Sequence, residues 1–244
     1  MRNPQYGSMK IPGRSVWIVL WILAVILFLY PIKNLPVRLG MILFTAGAIA
    51  GSIWSAKRRK PIFYSLLAGV ILAIMLVVAP GRDGDPQQLR ETYLAALRSY
   101  EGTRYIWGGE NVLGIDCSGL VRAGLIKANI EEGCLTFNPR LIRFGLSLWW
   151  HDCTAKALGE EYRGETSDVL TTVGINSLDE NQVNPGDLSV TASGVHVLAY
   201  LGGKEWIEAD PHYGRVVMVE VPTERNPWFQ EPVHIVRWVE LAVK

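Results

Sequence analysis

No acidic residue precedes Asp83 in this chain, yet the first eighty residues carry nine Lys and Arg. Those charges are gathered into short clusters, which leaves residues 15–32, 39–56 and 61–80 as three runs free of charge, each 18 to 20 residues long. About 20 helical residues, at roughly 1.5 Å each, cross a hydrocarbon core of about 30 Å. The pattern predicts three closely spaced membrane helices. The middle run is the least greasy, and its Gly47, Ala48, Gly51 and Ser52 suit close helix contact. Trp17, Trp21, Tyr30, Trp54 and Tyr64 fall near run ends, where amphipathic rings favour the headgroup zone. A cleaved signal peptide is disfavoured, because no small-residue cleavage site follows Tyr30 and two more apolar runs come at once.

Loop charge sets an orientation. A cytoplasmic tail of residues 1–14 and a cytoplasmic Lys57-Arg58-Arg59-Lys60 loop place seven basic residues inside, against Lys33 and Arg38 outside. Three spans then deliver everything after residue 80 to the outer face, so the expected location is a cell membrane with an extracytoplasmic C-terminal domain. That remainder holds fifteen Lys and Arg with all 23 acids, so the chain's net charge of +1 sums a +9 half and a −8 half. The basic charge sits between apolar runs and the polar half is acidic, which argues against a nucleic-acid binder. A 49% hydrophobic content argues against disorder.

After a linker at 81–86, apolar residues at helical spacing predict a helix over 87–100, stopped by Gly102. Asp116-Cys117-Ser118-Gly119 opens a second helical pattern with a capping residue in front. Residues 131–181 have apolar patches but no single period and read as an insertion. Beyond Asn184-Pro185-Gly186-Asp187-Leu188 come β-rich runs at 195–201, 206–209, 216–221 and 233–241, with Gly202-Gly203 as a hairpin signal. Helices followed by strands make an α+β domain over 87–244.

Cys117 falls at the start of a helix, where unpaired N–H groups and the helix dipole favour a thiolate. Tyr105-Ile106-Trp107-Gly108-Gly109, Gly114-Ile115-Asp116-Cys117-Ser118-Gly119-Leu120-Val121, the 184–188 motif, then Val195-His196-Val197 and Tyr200-Leu201-Gly202 follow in order. Together they resemble the NlpC-type cell-wall peptidases, papain-like cysteine peptidases of bacterial peptidoglycan, over roughly residues 85–220. The resemblance implies the papain-like fold, a nucleophilic Cys117, a general base His196, and a third polar residue that orients the imidazole. Tyr105, Asp116 and Ser118 are implied substrate contacts, holding a free amine and peptide near the scissile bond. Residue by residue, Tyr105 reads equally well as a packed aromatic, and Asp116 or Ser118 as a helix cap. Trp107 reads as core or cleft wall.

Many relatives carry a second His twelve residues after the first, and here that position is Glu208. A carboxylate on the imidazole N–H serves the same purpose. Asp210 is the alternative. Glu208 shares a face with His196 only if the intervening hairpin turn has an odd number of residues near Gly202. His151 and His234 read as structural or surface residues, and His212 as a candidate for the cleft rim. No C-x-x-C or H-x-x-x-H spacing points to zinc, and no metal or cofactor is expected. Cys134 and Cys153 read either as a disulfide stapling the insertion or as two buried thiols. Trp149 and Trp150 are candidate cleft walls.

The resemblance implies a membrane-anchored endopeptidase acting on peptidoglycan stem peptides, at the bond from D-glutamate to the diamino acid. Amidase or acyl-transfer chemistry on another substrate, a degenerate envelope scaffold, and a membrane-protein partner for the spans remain open at this point.

Overall fold

The computed structural model describes residues 16–242; the basic residues Arg2, Lys10 and Arg14 and the start of the first apolar run lie outside the described residues. The chain divides into two compact units, one of residues 16–30 with Leu35–Ala73, the other of Pro31–Asn34 with residues 74–242.

The first unit is helical: α1 (Val16–Leu29), α2 (Leu35–Ala56) and most of α3 (Lys60–Val78). Helices α2 and α3 are long and apolar enough to cross a membrane, whereas α1 contributes only 14 described residues. Helix α2 starts one turn before its charge-free run, so Arg38, expected in a loop, lies inside it. The small residues do what their spacing suggests. A Cβ on Gly40, Gly47 or Gly51 would meet Leu27, Leu20 or Trp17 of α1 at 2.5–3.0 Å, so these glycines let α1 lie close against α2. Trp21 Nε1 also donates to Ser52 Oγ at 3.2 Å.

The second unit contains α4 (Pro86–Arg98), α5 (Cys117–Leu135), α6 (Pro139–Trp150) and α7 (Ala155–Gly159), with strands β1 (Glu110–Asn111) to β8 (Val233–Trp238). Asp85 caps α4 by accepting from Gln87 N at 2.9 Å, and Pro86 opens the helix where its missing N–H costs nothing. Leu89, Tyr93 and Leu97 bury one face of α4 against α5, where Gly124 leaves them room.

Six strands form one antiparallel sheet in the order β3 (Thr166–Thr172), β8, β4 (Leu188–Thr191), β5 (Val197–Gly202), β6 (Glu205–Asp210), β7 (Arg215–Glu220). Both faces are covered. Val197, Ala199, Leu201, Ile207 and Ala209 join the core around α5, while Leu198, Tyr200, Trp206 and Ile235 join a second core with Ile175 and Phe229. Burial on both sides explains why the strand sequences are continuously apolar.

The stretch read as an irregular insertion is largely structured. It supplies α6, α7 and the edge strand β3, so the sheet recruits strands from before as well as after His196. Asp187 explains the 184–188 motif: after a turn with Gly186 at φ +97°, its buried carboxylate pairs with Arg237 at 2.6 and 2.7 Å and ties the start of β4 to β8.

The stapling disulfide is not formed; Cys134 is exposed, Cys153 buried, and both are free thiols. Cys134 lies in the last turn of α5, and the chain then runs the twelve residues of α6 before reaching Cys153. That helix rises about 18 Å, far beyond the ~7 Å Cα separation a disulfide tolerates. Trp107, read as core or cleft wall, is 82% exposed and not core.

Candidate active site

Cys117 is the first residue of α5 and is 8% exposed. Its position is fixed by Asp116, whose Oδ1 accepts from Gly119 N at 2.6 Å and from Ser118 Oγ at 3.1 Å. Asp116 Oδ2 accepts from Gly108 N at 2.6 Å, while Asp116 N donates to Gly109 O at 3.1 Å. One carboxylate thus caps the helix and locks it to the preceding loop. Burial pushes the Asp116 carboxyl up, and these three donors pull against that rise.

His196 stands just before β5, 1% exposed, hydrogen-bonded to Glu208 and close enough to Cys117 for the thiol to act on its protonation. Its Nε2 lies 2.6 Å from Glu208 Oε2. The Glu208 side chain is fully buried, and a buried carboxylate needs partners for both oxygens. The second partner is Asn226, whose Nδ2 donates to Oε1. Burial alone would hold the imidazole neutral, but its interactions with Cys117 and Glu208 raise it to about 9. Burial likewise pushes the Glu208 carboxyl up, against the pull of His196 and Asn226. For the pair we take the charged imidazolium and carboxylate, because the short bond and the Asn226 donor both favour the ionised carboxylate.

Asp210 does not touch the imidazole. Its Oδ1 accepts from the backbone N–H of His212 and Tyr213, capping the β6–β7 turn, and its buried Oδ2 has no hydrogen-bond partner among the described residues. Tyr105 is half-buried and is pushed up to about 12 by burial and by the negative groups of Cys117, Asp116 and Asp210. Tyr105 packs against the buried core cluster that includes Cys117. Ser118 is buried, with its hydroxyl turned to Asp116.

Of the remaining histidines, His151 closes α6, His234 lies on β8 beside Thr171, and His212 sits in the β6–β7 turn against Tyr213. Two site residues lie beyond the sequence motifs. Asn226 begins a short 3₁₀ turn, Pro227–Phe229, and accepts from Trp228 N at 3.1 Å. Trp228 stacks on His196 with ring centroids 4.4 Å apart and planes 20° from parallel. An Asn before a Pro signals a turn, but nothing in that signal points to a carboxylate eighteen residues earlier.

The match to the NlpC/P60 family model spans residues 102–237, more than half of the chain. The chain belongs to the NlpC/P60 family. That stretch contains Tyr105, Asp116, Cys117, Ser118, His196, Glu208, Asp210 and Asn226. No curated protein matches the chain. Among solved structures, NlpC1 from Trichomonas vaginalis is 18% identical with a TM-score of 0.40, covering 65% of this chain and 46% of its own. An NLP/P60 family protein similar to lipoprotein, from Staphylococcus aureus, is 17% identical with a TM-score of 0.41, covering 66% and 44%. The peptidoglycan hydrolase RipB from Mycobacterium tuberculosis is 20% identical with a TM-score of 0.38, covering 61% and 65%. The chain therefore spans less than half the length of the first two of these structures.

Proposed function

We propose that this NlpC/P60 protein is a membrane-anchored cysteine endopeptidase that cleaves peptidoglycan stem peptides. The observation that carries the reading is the alignment of a helix-start Cys117, His196 and a fully buried Glu208 that holds the imidazole at 2.6 Å. A base that accepts the thiol proton and returns it to a leaving amine is what amide cleavage needs.

In this reading His196 already holds the proton of the Cys117–His196 pair as the imidazolium, and the Cys117 thiolate adds to the scissile carbonyl carbon. The C–N bond then breaks as His196 protonates the departing amine, leaving a thioester on Cys117. Water, deprotonated by His196, hydrolyses the thioester, expelling the Cys117 thiolate and restoring the imidazolium. Glu208 keeps the imidazolium oriented throughout, and Tyr105 faces the bound peptide. Asp116 and Ser118 serve substrate binding by shaping the backbone around Cys117. The bond from D-glutamate to the diamino acid is the proposed target.

The anchor is part of the proposal. Helices α1, α2 and α3 are taken as three spans with the N-terminus cytoplasmic and the catalytic unit outside, which concentrates the enzyme at the wall. A reporter active only in the cytoplasm, fused after Lys244, should be silent. For the chemistry, the full-length protein is incubated with purified wall beside its Cys117→Ala variant. New muropeptides are expected from the first alone, and their mass identifies the bond. Identical digests would sink the peptidase reading.

A further inference from the structure

We propose that Pro31–Asn34, the connection between α1 and α2, is a positioning element of the catalytic unit, adding an edge strand that sets the placement of Cys117. These four residues group with residues 74–242 and not with the helices on either side of them. Ile32 forms an antiparallel bridge with Gly109, and Pro31 O accepts from Glu110 N at 3.0 Å. A Cβ on Gly108 would stand 3.4 Å from Ile32 Cγ2, so the Ile32 side chain lies against that glycine.

The bridged segment leads directly to the nucleophile. Strand β1 pairs with β2 (Gly114–Ile115), and Ile115 pairs in turn with Tyr105, while Arg104 bridges Arg215 of β7. Ile32 is thus the outermost of a series of bridges that runs through the catalytic loop to β7 of the main sheet. An extended segment laid on an exposed strand edge is held by main-chain hydrogen bonds, and here it is supplied in cis.

From Gly108–Glu110 three contacts reach α5. Gly108 N donates to the Asp116 carboxylate at 2.6 Å, Gly109 O accepts from Asp116 N at 3.1 Å, and the Glu110 carboxylate pairs with buried Arg122. There is no slack along this route. A Cβ on Gly119 would collide with Gly109 O, and one on Gly109 would lie 2.5 Å from Gly114 O. Close-packed groups transmit a displacement instead of absorbing it, so a shift of the 31–34 edge moves Asp116 and the first turn of α5, where Cys117 sits.

The test uses the full chain in detergent micelles, comparing wild type, Ile32→Asp, which sets a charge against Gly108, and Ile32→Val, which keeps the apolar contact. Three readings are taken: exchange of the Glu110 amide, the pH profile of Cys117 alkylation by iodoacetamide, and kcat and KM for wall peptide. Ile32→Asp is expected to speed Glu110 exchange, to slow Cys117 alkylation near neutral pH and to lower kcat, each by about tenfold or more. KM stays within about twofold, and Ile32→Val behaves as wild type.

A free Glu110 amide in Ile32→Asp with unchanged alkylation and kcat overturns the proposal, as does rapid Glu110 exchange in the wild type. If Ile32→Asp loses its helical circular dichroism, the milder Ile32→Gly takes its place with the same readings. The kinetic arm rests on the peptidase reading, whereas exchange and alkylation do not. Wild-type protein that passes both while leaving wall intact counts against the peptidase alone.

Discussion

His196 and Glu208 face each other because of a β-bulge, not because of the turn between their strands. The β5–β6 turn is the two-residue Gly203-Lys204, both with positive φ (58° and 70°), closed by the pair Gly202 and Glu205. That even turn, continued in register, would set Glu208 opposite Ala199, on the α5 side of the sheet. A register shift between Tyr200 and Gly202 intervenes, after which Ala199 pairs with Ile207 and Tyr200 with Trp206. Glu208 then falls opposite Leu198 and shares its face with His196. One extra residue in β5 does what an odd-numbered turn was expected to do.

Removing the charge of Glu208 should cost activity without dismantling the fold. Glu208→Gln keeps the volume but replaces the carboxylate that orients and stabilises the imidazolium. A kcat loss on the order of 10²–10⁴ is expected, with KM little changed. Asn226→Ala leaves Glu208 Oε1 buried without its donor; the expected stability loss is about 1–3 kcal/mol, measured by urea unfolding. Asp210→Asn should leave the His196 contact intact, since among the described residues Asp210 accepts from the backbone N–H of His212 and Tyr213 and not from the imidazole. Equal kcat losses from Glu208→Gln and Asp210→Asn would reverse the assignment.

Raising the pH should weaken both catalysis and the fold through His196. Its folded pKa is about 9 against an ordinary 6.5. A raised histidine binds its proton more tightly in the folded state, so its contribution is complete below 6.5 and disappears as pH climbs through about 9. The Tm of wild type should therefore fall across that interval more than the Tm of His196→Gln. A basic limb near 9 is expected in kcat/KM as well, since the proton needed by the leaving amine is lost there. Titration of His196 by NMR near 6.5 would refute this account.

Much of the site was legible because its chemistry is local in sequence. Cys117 follows its own cap, Asp116, and His196 opens an apolar strand. Glu208 was readable by position, but its face depended on a bulge, and no residue type marks one when Leu201 and Gly202 carry it. Asn226 and Trp228 were not legible, because a buried carboxylate accepts any nearby donor and the donor comes from a distant Pro-containing turn. The edge strand β3 was hidden for another reason. Its exposed and half-buried residues follow no strict alternation, and its pairing with β8 shifts register after Asp168. Sequence spacing made Cys134 and Cys153 look joinable, whereas α6 holds them a helix length apart.

The three cysteines should separate in labelling experiments. Burial pushes the Cys153 thiol up to about 12, which leaves it protonated at neutral pH, whereas Cys134 is exposed. Protein purified without reductant should show all three thiols free by mass spectrometry. Iodoacetamide at neutral pH should label Cys134 and Cys117, and Cys153 only after denaturation. A Cys134–Cys153 peptide pair in the digest would contradict the fold of the α5–α6 hairpin.

Asp116 offers a test between capping and substrate contact. Both of its oxygens are engaged, Oδ2 by Gly108 N and Oδ1 by Gly119 N and Ser118 Oγ. Asn has one acceptor oxygen, so Asp116→Asn must turn an NH₂ toward one of those donors. A loss of about 1–2 kcal/mol is expected from the broken cap alone. Gly119→Ala attacks the same junction from the other side, because its methyl would run into Gly109 O. A rigid carbonyl cannot step aside cheaply, and overpacking of this kind costs about 1–3 kcal/mol. Gly69→Ala, on α3 with nothing within 4 Å of the new methyl, serves as the neutral control. If Asp116 acts through the cap, Asp116→Asn and Gly119→Ala lower Tm together and reduce kcat with little change in KM. A rise in KM for Asp116→Asn at unchanged Tm would instead mark direct contact between this carboxylate and the peptide.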